Sequence, residues 1–126
     1  MTTASIASTN YQVSLTDGRH AFIADEPMDK GGKDTGPAPD ELLEAALASC
    51  TAITLRMYSD RKNWKVDGID VAVNLERIDN QSIFTRKISI TGEIDETQRE
   101  RLLQIAKVCP VSKTLAGANE VNSFMV

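Results

Sequence analysis

One histidine, two cysteines and one tryptophan are all that this 126-residue chain holds of those types. His20 and two cysteines far apart in sequence give neither a metal-ligand spacing nor a cysteine–histidine dyad with a third group, so no metal is expected. One tryptophan, two tyrosines and three phenylalanines, scattered along the chain, are too few for a base-stacking platform. Basic residues number 14 against 18 acidic ones, a net charge of -4, which is the wrong sign for a protein that lives on phosphate backbones; nucleic acid is not an expected partner. No stretch approaches the ~18 apolar residues of a membrane span. Met1 to Asn10 has no basic residue and no apolar run, so it resembles neither a secretory signal nor a transit peptide, and a soluble cytoplasmic protein is expected. The run Gly31-Gly32-Lys33-Asp34-Thr35-Gly36 has the composition of a phosphate loop but not its spacing, and no cofactor is expected.

What is present is an ordinary globular composition, 41% hydrophobic and 25% charged, read as a single domain over residues 1–126. A chain of this length buries roughly two-thirds of its unfolded surface without disulfides or metals, which leaves both cysteines available for chemistry. In a reducing compartment such cysteines are more often thiols or a catalytic redox pair than a staple.

Tyr11, Val13 and Leu15 alternate with polar residues before Asp17-Gly18, and Ala21, Phe22 and Ile23 follow. This pattern predicts a hairpin with a type I′ turn, Arg19 opening its second strand. Asp25 to Ala38, aperiodic and glycine-rich, reads as a mobile exposed loop. Pro39 to about Arg61 is the strongest helical segment, with Pro39 at its first position and Asp40, Glu41 and Glu44 over the positive end of the dipole. Between Leu42 and Ile53 it is apolar or small on nearly every side. One sheet covers one face of such a helix, so a second copy of the chain is expected on the other, as a homodimer. Val66 to Glu76 and Phe84 to Thr91 alternate as an antiparallel pair, with Arg86 the exception on the inward side. Asp95 and Gln98 form a capping-box signature ahead of a second helix. A short helical turn after Cys109-Pro110 ends at Gly117, and Val121 to Val126 is expected to close as a strand. The fold class is α+β, a sheet against a long central helix.

Cys50 sits about three turns inside the long helix and, taken alone, reads as one more small hydrophobe. Cys109 precedes Pro110 at a helix start, a position that favours a thiolate by about 0.3 to 1 kcal/mol. Bringing a thiol of pKa ~8.5 to ~6 requires about 3.4 kcal/mol, more than a dipole supplies. An arginine about 4 Å away could supply it, at about 4 kcal/mol for an effective dielectric of 20 before desolvation. The candidates are Arg19, Arg56, Arg61, Arg77, Arg86, Arg99 and Arg101. Arg56 points about 120° away from Cys50 around the helix and does not pair with it directly. Arg19 is the better candidate on rigidity, against the alternative of a solvated hairpin charge. Asp40 or Glu41 could orient an arginine lying along the helix, or serve only the helix dipole.

Gly36-Pro37-x-Pro39-Asp40-Glu41-Leu42-Leu43, Leu47-Ala48-Ser49-Cys50-Thr51-Ala52 and Ala106-Lys107-Val108-Cys109-Pro110-Val111-Ser112-Lys113-Thr114-Leu115 together resemble the OsmC/Ohr family of thiol peroxidases. The resemblance runs from about Arg19 to the C-terminus. It implies an OsmC-like fold with two chains intertwined around their long helices, and reduction of organic hydroperoxides. By that resemblance Cys50 is the peroxidatic thiolate, Cys109 the resolving thiol, Arg19 the stabilising cation, and Asp40 the acid that holds it. Asp40 is one methylene shorter than the family's glutamate, and Glu41 is the alternative. Leu42, Ala46, Ile53 and the loop 25–38 offer an apolar approach for the hydroperoxide. The implied electron donor is a dithiol such as a lipoylated protein. The alternative on the same scaffold is a non-enzymatic small-ligand-binding or stress-associated dimer with inert buried thiols.

Overall fold

Backbone pairing brings three short strands together at the start of the chain: β1 (Thr3–Ile6), β2 (Val13–Thr16) and β3 (Ala21–Ala24), antiparallel in the order β1-β2-β3. They belong to a computed structural model that describes residues 1–126. The chain divides into two compact units, Met1–Leu43 and Glu44–Val126. β1 was not expected from sequence. All four of its residues are exposed, so it is held by main-chain hydrogen bonds, and its Thr-Ala-Ser-Ile alternation is too short to mark a strand.

The β2–β3 bend departs from the type I′ expectation, because Gly18 has φ +92° while Asp17 is not left-handed. The Asp17 carboxylate instead accepts from the N–H groups of Arg19 and His20, both at 2.8 Å, and from His20 Nδ1 at 3.0 Å. Led by the His20 side chain, these bonds hold Asp17 down at a pKa of about 2. Arg19 therefore lies in the bend, and the second strand starts two residues later, at Ala21. The segment after β3, expected as a mobile loop, is folded around buried Asp25. Its carboxylate accepts from the N–H groups of Glu26, Lys33 and Thr35 and from the Thr35 hydroxyl at 2.7 Å. Gly32 passes so close to the Glu26 carbonyl that a β-carbon would collide with it.

The first long helix, α1 (Pro39–Arg61), has the bounds that its sequence predicts. In the second unit it buries Leu47, Thr51, Leu55 and Ser59, a single stripe at four-residue steps. The helix is not covered all round in the single chain: Ile53 and Met57 stay 59% and 56% exposed. Next come β4 (Lys65–Ile78) and β5 (Gln81–Glu93), an antiparallel hairpin. Here the two-residue left-handed turn does occur, at Asp79 (φ +50°) and Asn80 (φ +64°) between paired Ile78 and Gln81. At the far end of the hairpin, the register shifts between Val66 and Gly68. Gly92 opposite Val66 adopts φ +138°, where a side chain would strike the Lys65 carbonyl.

α2 (Glu96–Lys107) starts with the full Asp95–Gln98 capping box, both bonds at 2.8 Å. α3 (Pro110–Ala116) follows, with Cys109 as its N-cap residue and Gly117 as its C-cap. Leu55 of α1, Val66 of β4, and Leu102 and Ala106 of α2 form the buried apolar centre, flanked by Ile69, Ile88 and Ile90 of the hairpin. Val121 to Val126 pairs with no strand in this chain, contrary to the expected closing strand.

Candidate dithiol site

Partners in an antiparallel pair share a face, and the β4–β5 register sets Ile69 with Ile90, Val71 with Ile88, Val73 with Arg86, and Leu75 with Phe84. Arg86 thus stands half-buried in a row otherwise made of apolar side chains. Its Nη1 donates to Thr51 Oγ1 at 2.8 Å and approaches Cys109 Sγ at 3.9 Å. Thr51 Oγ1 lies 3.8 Å from the same sulfur and also donates to the Leu47 carbonyl one turn back, at 2.7 Å. Thr51, buried completely, belongs to the inward stripe of α1; Cys50 beside it is half-buried.

Cys109 has no exposed surface. Burial by itself pushes its thiol up, because the anion loses water. The Ser112 N–H faces the sulfur from the first turn of α3, without closing a short cap bond. Together with Thr51, the Cys50 side chain and the Arg86 charge, it outweighs burial, and the Cys109 thiol is held below its usual 9.0. Helix α1, strand β5 and helix α3 thereby bring the two cysteines, a hydroxyl and a guanidinium to one place. Beside them is a groove of about 320 Å³, whose lining includes Arg86, Ser112, Leu47, Phe84 and Leu115.

The other arginines near this site in sequence have different work. Arg56 donates to the Val66 carbonyl at 2.7 Å and pairs with Asp60 at 3.6 Å, in keeping with its direction on α1. Arg99 donates to the Ile90 carbonyl, and Arg101 to Tyr58 and Gln104. Arg19, Asp40 and Glu41 belong to the unit Met1–Leu43. Arg19 occupies the exposed β2–β3 bend, and Glu41 accepts from the Ala38 N–H at 2.7 Å, capping the start of α1. Nothing in the residue pattern by itself assigns chemistry to Thr51. Its signal is a hydroxyl four residues from both Leu47 and Leu55, on the buried stripe.

Fold and site together define a small α+β protein with two neighbouring thiols. The family model described as OsmC-like protein matches residues 31–123, across the boundary between the two units. The chain belongs to the OsmC-like family. Among solved structures, an OsmC-like protein from Mycoplasma pneumoniae is 19% identical, with a TM-score of 0.80, over 93% of this chain and 86% of that one. An organic hydroperoxide resistance protein from Elizabethkingia anophelis is 24% identical, with a TM-score of 0.70, over 92% and 86%. The organic hydroperoxide resistance protein OhrB of Bacillus subtilis is 23% identical, with a TM-score of 0.62, over 93% and 90%. At these identities the likeness is one of fold. No curated protein matches the sequence at a significant level.

Proposed function

We propose that the protein is a thiol-dependent peroxidase that reduces organic hydroperoxides. The observation that supports this reading best is the placement of the Cys50 side chain beside the Cys109 sulfur, the pairing that a two-thiol cycle requires. The Cys50 thiolate attacks the terminal peroxide oxygen. The O–O bond breaks, the alkoxide takes a proton and leaves as an alcohol, and Cys50 becomes a sulfenic acid. Cys109 as thiolate then attacks the Cys50 sulfur; the S–O bond breaks, hydroxide leaves as water, and a disulfide forms. An external dithiol such as a lipoylated protein reduces that disulfide and is itself oxidised. In a reducing compartment such as the cytoplasm both thiols begin each cycle free, as they are in this structure.

The groove beside Arg86 gives an apolar lodging for the organic part of the peroxide through Leu47, Phe84 and Leu115. By resemblance to the family, Arg19 is the cation for the Cys50 thiolate, and Asp40 or Glu41 orients it. The homodimer is part of the same proposal: Ile53 and Met57 form an exposed apolar strip on α1, and a second copy would cover it.

The test is to add one equivalent of cumene hydroperoxide to the reduced protein and count thiols. Loss of both without intermolecular crosslinks supports the enzyme. Two persistent thiols would overturn it and leave a binding module.

A further inference from the structure

Arg86 interrupts the apolar row of β5, and Thr51 places a hydroxyl on the buried stripe of α1; neither position asks for a polar group on packing grounds. Both side chains converge on Cys109, which no solvent reaches. A buried anion must be balanced by fixed donors and charges. Thr51 has a single hydroxyl proton, given to the Leu47 carbonyl at 2.7 Å, and it accepts from Arg86 at 2.8 Å. With a guanidinium N–H on its oxygen, the hydroxyl can turn that proton from the carbonyl to the sulfur when the sulfur ionises. Strand pairing on β5 holds Arg86 in register, so its charge does not depend on a loop.

We infer that Arg86, acting directly and through the positioning residue Thr51, is the cationic support of the Cys109 sulfur and keeps it ready to close the disulfide on oxidised Cys50. The closing step rests on the peroxidase reading; the pairing of Arg86 with Cys109 does not. In that step the Cys109 sulfur gives an electron pair to Cys50, the S–O bond breaks, and hydroxide leaves to be protonated. The titratable groups that face the Cys109 sulfur are the Cys50 thiol from α1 and the Arg86 guanidinium from β5; α3 contributes the Ser112 N–H.

The experiment uses the full chain with Cys50→Ser, in which Cys109 is the only thiol, and follows thiolate absorbance at 240 nm against pH. Arg86→Gln is expected to raise the midpoint by about one unit, as loss of a close opposite charge does. Arg86→Lys should recover at least half of that shift, and Thr51→Val should raise the midpoint by a few tenths of a unit, roughly the loss of one donor. An unmoved midpoint in Arg86→Gln with native circular dichroism overturns the inference, as does an Arg86→Lys midpoint no lower than that of Arg86→Gln. In the protein with Cys50 intact, dimedone trapping after one equivalent of cumene hydroperoxide should find the sulfenic acid about threefold longer-lived in Arg86→Gln at neutral pH, since a smaller thiolate fraction is offset only in part by the higher nucleophilicity of a more basic sulfur. If peroxide produces neither sulfenic acid nor disulfide in the unsubstituted protein, the peroxidase reading fails, while the titration still decides the role of Arg86.

Discussion

The unit Met1–Leu43 is organised around a carboxylate, whereas the unit Glu44–Val126 is organised around a sulfur. In the first, Ala24 and Asp25 are the buried residues, and Asp25 gathers four donors from its own loop. In the second, Leu55, Leu102 and Ala106 are fully buried, and the elements they fix deliver a guanidinium, a hydroxyl and a neighbouring thiol to Cys109. The comparison teaches where precision comes from. Hydrogen bonds over short sequence distances shape a loop, while distant residues meet accurately only where an apolar core has already placed their backbones.

The largest expected effect isolates the second unit. Cys109→Ser should let Cys50 oxidise once and then stall as sulfenic acid, abolishing dithiol-driven multiple turnover; continued cycling would refute the resolving role. Next comes the proposed contribution of the first unit. Arg19→Ala should slow peroxide consumption by about an order of magnitude, the loss of a little over 1 kcal/mol of barrier lowering. Unchanged kinetics would confine the chemistry to the unit that holds Cys50, Cys109 and Arg86.

Acidity separates the units more finely. Asp17 is lowered from 3.8 to about 2. Asp25 is lowered too, chiefly by the Thr35 hydroxyl. Carboxylates with depressed native values contribute stability that is complete above pH 3.8 and is lost as pH falls through those native values. Cys109 is also depressed, so its contribution is complete only above pH 9.0 and is lost as pH falls through its native value. Urea midpoints of the reduced protein should therefore fall in strong acid, and rise with pH on the approach to 9.0. Cys109→Ser should flatten only the alkaline rise, and Asp25→Asn should weaken only the acid limb. The smallest effect concerns Ser59, whose buried hydroxyl has no hydrogen-bond partner. Ser59→Ala should raise the urea midpoint slightly, by up to about 1 kcal/mol of stability.

The long helix, the hairpin pair and the capping box were legible in the sequence because each leaves a local mark: Pro39 at a first helical position, alternation in Ile69, Val71 and Val73, and Asp95 three residues before Gln98. Thr3–Ile6 left only a four-residue alternation, too short to mark a strand, and its exposed backbone pairing needs no particular side chain. The left-handed turn was assigned to Asp17-Gly18 and occurs at Asp79-Asn80; at the former, the Asp17 carboxylate bonds to the bend's own N–H groups and selects another geometry. The nearness of Cys50 and Cys109 came only from family resemblance. Arg86 was visible as a charge out of phase on β5, but its target depends on how β5, α1 and α3 pack, which no sequence period encodes.

Cys50 and Cys109 stand at opposite ends of a stretch that carries the second half of α1, the whole hairpin and α2. Joining them would convert about sixty residues into a closed ring, which on the chain-entropy account handicaps the unfolded chain by roughly 4 kcal/mol. Calorimetry should then find a melting temperature about 15 °C higher after peroxide than after dithiol, so that the heat tolerance of a sample becomes a record of the oxidant it last met.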